Sequence, residues 1–205
     1  MKISLIIAHP DEHSFNHAIA RCCLDTLSAN GHTLYFHDLY NEKFDALLPA
    51  HEILRTAELP PELEKHCDEI SSADGIIVVH PNWWGQPPAI LKGWIDRVFR
   101  PGIAYEFIAG DSGEGVPVGL LKAKSALVFN TSNTETSREI DIFKDPLETI
   151  WKNCIFDLCG VHNFYRRMFN IIVTSSEDQR IGWLSEVAET VNGYYPNGKM
   201  TEPGH

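Results

Sequence analysis

Two short stretches hold the residue types best suited to binding and chemistry. One runs His9-Pro10-Asp11-Glu12-His13 into Ser14-Phe15-Asn16; the other is His80-Pro81-Asn82-Trp83-Trp84-Gly85. A helix that starts at Ser14-Phe15-Asn16 offers free amides and a positive dipole end, which together attract anions. Ser14 can cap that helix or contact a phosphate, Asn16 can do either, and His9 can donate to a phosphate oxygen. A capped helix beside a solvated histidine is the plain alternative. Trp83 and Trp84 are poor core material in a loop, but two tryptophans there can wall a flat aromatic ligand. Backbone amides of the same turn can reach ring heteroatoms, and Gly85 permits close backbone approach. Trp94, Ile95, Val98 and Phe99 have helical spacing and read as core.

The elements that must position these stretches alternate. Residues 2–8 read as a buried strand, 14–29 as a helix stopped by Asn30-Gly31, and 32–39 as a second strand. Residues 40–59 look irregular. Pro60-Pro61 opens a helix to Ser72, and 75–80 is a β-branched strand of the doubly buried kind. A loop over 81–88 leads into a helix over 89–100, then a glycine-rich connector over 109–119 and a fourth strand over 125–130. The spacing predicts a helix over 145–159, with Asp145 as N-cap and Pro146 in its first turn. A fifth strand lies within 161–173. The last helix spans 176–192 and stops at Gly193, and a polar, frayed tail follows. Strands alternating with helices predict an α/β three-layer sandwich around a parallel sheet. Five units suit the flavodoxin-like order 2-1-3-4-5, whose switch point lies between the first and third strands. Ligand chemistry is then expected in the loops that begin at His9, His80 and Asn130.

Composition sets the frame. The chain has 205 residues, 43% apolar and 22% charged, as expected of one globular domain, placed at 1–193 with a tail over 194–205. A net charge of −11 argues against nucleic acid and anionic membranes as partners. The apolar run after Met1-Lys2 is too short to span a membrane and lacks the form of a signal peptide. Five cysteines without a C-x-x-C pair fit reduced thiols in the cytoplasm, with Cys154 and Cys159 read as core.

Two family resemblances compete. Ala8-His9-Pro10-Asp11-Glu12-His13 is similar to the zinc site of the PIG-L-like deacetylases, and His and Asp are sound zinc ligands. That family's downstream H-x-x-H and its glycine-rich stretch are missing, so no metal is expected. The segment from His80 through Trp83-Trp84-Gly85-Gln86-Pro87-Pro88 and Gly93-Trp94-Ile95-Asp96-Arg97 to Phe99 resembles the signature of the NAD(P)H:quinone oxidoreductase family. These are two-electron flavin reductases that include modulator-of-drug-activity proteins and ancillary subunits of potassium efflux systems. Ala8-His9 with Ser14-Phe15-Asn16, Asp38-Leu39-Tyr40, and Ala104-Tyr105 agree with it. The resemblance spans about residues 3–192.

It implies a flavin at the switch point, FAD by Phe15-Asn16 and Arg180, with FMN as the alternative. In that family, residues matching His9, Ser14, Phe15 and Asn16 hold phosphates, and those matching Pro81, Asn82, Trp83, Trp84 and Gly85 line the isoalloxazine ring. The loop matching Thr131, Ser132, Asn133 and Thr134 meets the ring's polar edge. Arg180 matches an arginine near the adenine, and Tyr105 and Phe107 match aromatics that close the substrate pocket from the partner subunit of a homodimer. The third loop departs from the family's Thr-Thr-Gly-Gly. The tyrosine and histidine that support the reduced ring in animal quinone reductases are absent from 135–143. Asn133, Glu139 or Asp141 could face the ring instead, and acids there would oppose an anionic reduced flavin. No G-x-G-x-x-G occurs, so NAD(P)H is expected as a stacked substrate, with quinone following it in ping-pong order. The rival from another class is a flavin-binding regulatory subunit of a transporter or other partner, with little turnover.

Overall fold

Runs of isoleucine, valine and leucine bury the middle of the sheet. The computed structural model describes residues 1–107 and 118–197. Its main strands are β1 (Lys2–Ile7), β2 (Thr33–Asp38), β3 (Gly75–Pro81), β6 (Ala126–Thr131) and β7 (Phe164–Phe169). They pair in the order β2-β1-β3-β6-β7, every pair parallel. Counted within the sheet this is 2-1-3-4-5, the expected flavodoxin-like order. Chain connections leave β1 in one direction and β3 in the other, so the switch point lies between them.

Alternation within each strand divides the core in two. Ile3, Leu5 and Ile7 face α1 (Phe15–Ala29) and α6 (Glu177–Tyr194), with Ile19, Cys23, Trp183 and Val187 in the same cluster. Ile6, Ile76, Val78 and Val128 pack on the other side with α2 (Pro61–Ser72) and α3 (Ala89–Val98), through Leu63, Ile70, Leu91 and Trp94. Ile95, Val98 and Phe99 join that cluster, as their spacing predicts. The irregular stretch 40–59 contains a short 3-10 turn, Ala50–Ile53. It is anchored by buried Glu52, whose carboxylate accepts two hydrogen bonds from the Arg97 guanidinium at 2.6 and 2.9 Å.

Several boundaries differ from the sequence reading. Two short strands, β4 (Tyr105–Glu106) and β5 (Val118–Gly119), form a separate antiparallel pair. Most of the expected connector over 109–119 lies outside the described residues. A short helix, α4 (Thr136–Asp141), follows β6. The expected helix over 145–159 is α5 (Pro146–Glu148) continuing as a π-helix, Thr149–Asp157. Asp145 does not cap it. Its φ is +44°, and its carboxylate instead pairs with the buried Arg166 guanidinium. Cys159 is buried, but Cys154 is exposed, so only one of that pair belongs to the core. Gly193 does not stop α6, which runs on to Tyr194. Tyr195 beyond it is fully buried, its single hydroxyl proton shared between the Ser125 and Ile76 carbonyls at 3.2 and 3.4 Å. The burial of Tyr195 outweighs the weak helix preference of one exposed glycine.

Candidate functional site

The carboxyl ends of β1, β3 and β6 open into one cavity of about 760 Å³. It is lined by His9, Ser14, Phe15 and Asn16 from the first loop, by Pro81, Asn82, Trp83, Trp84 and Gly85 from the second, and by Thr131, Ser132, Asn133 and Thr134 from the third. Thirteen of the fourteen residues expected to hold the cofactor therefore meet in one place. Sequence spacing places each loop at a strand end, and the parallel register brings the ends together. Ala8 N donates to Val79 O at 3.0 Å, and Asn82 N donates to Thr131 O at 2.7 Å.

The first loop leads into the N-terminus of α1. Ser14 is the N-cap of α1, its hydroxyl oxygen accepting from His17 N at 3.3 Å. Phe15 and Asn16 occupy the first helical turn, where amides have no intrahelical carbonyl to bond. Ser14 Oγ also lies 3.1 Å from His17 Nδ1, and His17 Nε2 lies 3.0 Å from Asp38 Oδ2 at the end of β2. This chain fixes the serine hydroxyl from behind. Asn16 is buried and donates to Thr131 Oγ1 at 2.9 Å, while its Oδ1 has no partner. A buried acceptor without a donor is costly and marks a place for a ligand or water to donate. The His9 ring is tilted at 53° to Trp83, ring centroids 6.2 Å apart, and burial pushes its pKa below the ordinary imidazole value.

The second loop is a tight turn. Trp83 N donates to Gln86 O and Gln86 N to Trp83 O, at 3.1 and 3.0 Å. Its central residues, Trp84 and Gly85, both have positive φ, +58° and +71°. Gly85 suits that geometry. Trp84 is strained there by about 1–2 kcal/mol, and its side chain is 100% exposed. Asn82 Oδ1 accepts from Gly85 N at 2.9 Å and locks the turn. Behind it, fully buried His80 has both nitrogens committed. Nδ1–H donates to Pro81 O at 2.8 Å, and Nε2 accepts from Trp151 Nε1 at 2.9 Å. Burial is the main reason its pKa falls to about 4.

The third loop is stitched to the end of β7. Ser132 N donates to Phe169 O, Ile172 N to Ser132 O, and Val173 N to Asn133 Oδ1. Of the three side chains that could have faced a ring here, Asn133 and Glu139 line the cavity and Asp141 is exposed elsewhere. Glu139 is buried and accepts from Asn82 Nδ2 at 2.8 Å. Phe143, Pro146 and Ile172 also line the cavity and were not anticipated. They follow irregular chain, where no periodic signal points inward.

Two expectations fall outside this cavity. Arg180 does not line it. Its guanidinium donates to Ser175 Oγ and Ile172 O, at 2.7 and 2.9 Å, and so supports the turn that carries Ile172. Tyr105 and Phe107 line a separate groove of about 340 Å³ with Ile95, Phe99 and Leu158. Within one protomer they are not part of the cavity. Elsewhere, His37, Glu42 and His66 bring ligand-type atoms together beside β2. Trp94 Nε1 donates to His66 Nδ1 at 3.1 Å, so the neutral ring carries its proton on Nε2 and has no lone pair there for a metal. Burial, then the neighbouring His37, pushes the His66 pKa down to about 3.

Residues 1–183 match the family described as having a flavodoxin-like fold. An uncharacterized NAD(P)H oxidoreductase of Haemophilus influenzae is 37% identical over 191 residues, covering 90% of this chain and 91% of the relative. This chain belongs to the NAD(P)H:quinone oxidoreductase family. An NAD(P)H:quinone oxidoreductase from Methanothermobacter marburgensis has a TM-score of 0.80 at 25% identity, covering 100% of this chain and 99% of that one. An FMN-dependent NADH-azoreductase from Bacillus anthracis, in complex with FMN, shares the fold, with a TM-score of 0.74 at 18% identity over 94% of this chain and 99% of that one. Membership of this oxidoreductase family displaces the zinc-deacetylase reading. The would-be ligands are turned into their own loop: His9 Nδ1 accepts from Asp11 N at 3.1 Å, and Asp11 Oδ1 accepts from His13 N at 2.9 Å. No helix of the described residues is long and apolar enough to cross a membrane.

Proposed function

We propose that this oxidoreductase is a flavin-dependent NAD(P)H:quinone reductase that works by two-electron, ping-pong hydride transfer. The observation that carries the reading is the convergence of thirteen expected flavin-binding residues on one cavity at the switch point. Their chemistry fits a flavin. The orphaned Asn16 Oδ1 can accept from a polar ligand group, and the open amides of Phe15 and Asn16 can hold phosphate. Trp83 supplies an aromatic wall, and the Gly85 turn admits backbone close to a flat ring. Bound flavin would accept hydride from NAD(P)H and deliver it to a quinone or similar acceptor.

The chain's own residues bind, orient and exclude water. Ser14, held by the His17–Asp38 pair, and the first-turn amides fix the phosphate end. Among the described residues the cavity has no lysine or arginine in its lining, so amides, hydroxyls and His9 must outweigh a net charge of −11. Preorganised donors of this kind cost no reorganisation when charge develops. FAD is the proposed flavin by the family resemblance at Phe15-Asn16, although Arg180, the other residue behind it, is engaged with Ser175 and Ile172 outside the cavity lining; FMN is the alternative, as a fold neighbour was solved with it. Nicotinamide and quinone would use one site in turn. Tyr105 and Phe107 would close it from the partner subunit of a cytoplasmic homodimer.

The test is the absorption spectrum of the purified protein, mass analysis of the released cofactor, and steady-state NAD(P)H oxidation with a quinone. Yellow protein, a flavin mass and parallel double-reciprocal lines are expected. A protein that rejects both flavins refutes the proposal. Flavin binding with negligible turnover, or turnover only with a partner protein, would favour the regulatory-subunit reading instead.

A further inference from the structure

Glu139 is a buried carboxylate in the lining of the cavity, on α4. Both of its side-chain hydrogen bonds reach the same oxygen, Oε1: from Asn82 Nδ2 at 2.8 Å and, more weakly, from Ser132 Oγ at 3.5 Å. Neither reaches Oε2. Among the described residues it has no ion-pair partner. Asn82 is the residue whose Oδ1 holds the Gly85 amide, so Glu139 sits at the head of a relay into the Trp83–Gly85 turn. The relay is directional. A carboxylate can only accept, so Asn82 must present its NH₂ to Glu139 and its carbonyl oxygen to Gly85.

We infer that Glu139 is a positioning and potential-setting residue of the flavin site: it orients Asn82 and the ring-walling turn, and its charge disfavours the reduced flavin. This rests on the proposed flavin function. Hydride uptake adds negative charge to the ligand, and a fixed negative charge in the same low-dielectric cavity opposes that change. The Asn82 relay, in contrast, acts on oxidised and reduced ligand alike. The two roles therefore separate by substitution. Glu139→Gln removes the charge and keeps an oxygen that can accept from Asn82. Glu139→Ala removes both.

The experiment is a spectroscopic redox titration of the holo-protein against a reference dye, with flavin affinity measured on the oxidised form. Wild type, E139Q, E139A and D141N are compared. Asp141 is an exposed acid two residues away and controls for net charge alone. E139Q is expected to bind oxidised flavin within about threefold of wild type. It should favour the reduced form about tenfold more than wild type, a rise of about 30 mV for a two-electron couple. E139A should show the same direction of shift together with a loss of at least threefold in oxidised affinity, so either variant decides the sign if the other does not fold. D141N should leave the potential unchanged. An unshifted or lowered potential in the Glu139 variants, or an equal shift in D141N, overturns the inference while leaving flavin binding intact. A wild-type protein that binds neither flavin overturns the inference and the proposed function together.

Discussion

Acidification tests the support of the Trp83–Gly85 turn. Buried His80 is neutral and doubly engaged, and its pKa lies at about 4 against an ordinary 6.5. The unfolded chain takes up a proton near pH 6.5, whereas the folded chain does so only near pH 4. Between those values the unfolded state binds more protons, so stability falls as pH falls. The full gap of about 2.5 units corresponds to about 3 kcal/mol, of which about 2 kcal/mol is already lost by pH 5. That is a large share of the 5–15 kcal/mol typical of a domain. The assay is urea unfolding at intervals from pH 7.5 to 4 for wild type and His80→Asn. The variant starts less stable, because Trp151 Nε1 loses its acceptor. The difference between the two curves should nevertheless shrink by about 3 kcal/mol over the range. His66, pushed down to about 3, steepens both curves equally and cancels. Parallel curves for wild type and variant would refute the account of His80 as a neutral, buried strut.

Other outcomes follow from the same geometry. Gly85→Ala meets both a φ of +71° and Pro146 Cγ at 2.8 Å from the new Cβ, so flavin affinity measured by fluorescence should fall at least tenfold; an unchanged value would show that the turn is not a cofactor wall. His9 starts with a lowered pKa, so an anionic ligand should raise it, and flavin affinity should increase as pH falls from 8 to 6; in His9→Gln that pH dependence should vanish. Asn16→Ala removes the acceptor waiting in the cavity and should weaken flavin about tenfold by titration, with a modest fall in melting temperature because the buried bond to Thr131 is lost as well.

Most of the architecture was readable along the chain because its signals are local. Buried strands announce themselves by β-branched runs, and Ser14 and Ser176 do cap α1 and α6 as such residues should. Alternation implied a doubly wound sheet with the loops at His9, His80 and Asn130 expected at one end of it, and the family resemblance supplied the thirteen residues that line the cavity there. What stayed hidden depends on partners far apart in sequence. Glu139 became a cavity residue through Asn82, 57 positions away. Asp145 has the spelling of a cap, but its carboxylate joins Glu148 in pairing the buried Arg166 guanidinium on β7, a partner 21 positions away that no local signal reveals. Arg180 points to the turn at Ile172 rather than into the cavity, which a helix position alone could not reveal. Gly193 reads as a stop until Tyr195 is seen filling the space over Gly75, where even a methyl would meet its ring at 2.3 Å. Periodicity and capping report each residue's short-range preferences. The pairing of charges, the direction of Asn82 and the shape of the cavity arise only when strands and loops distant along the chain are packed together, since burial sets the cost of every unpaired group.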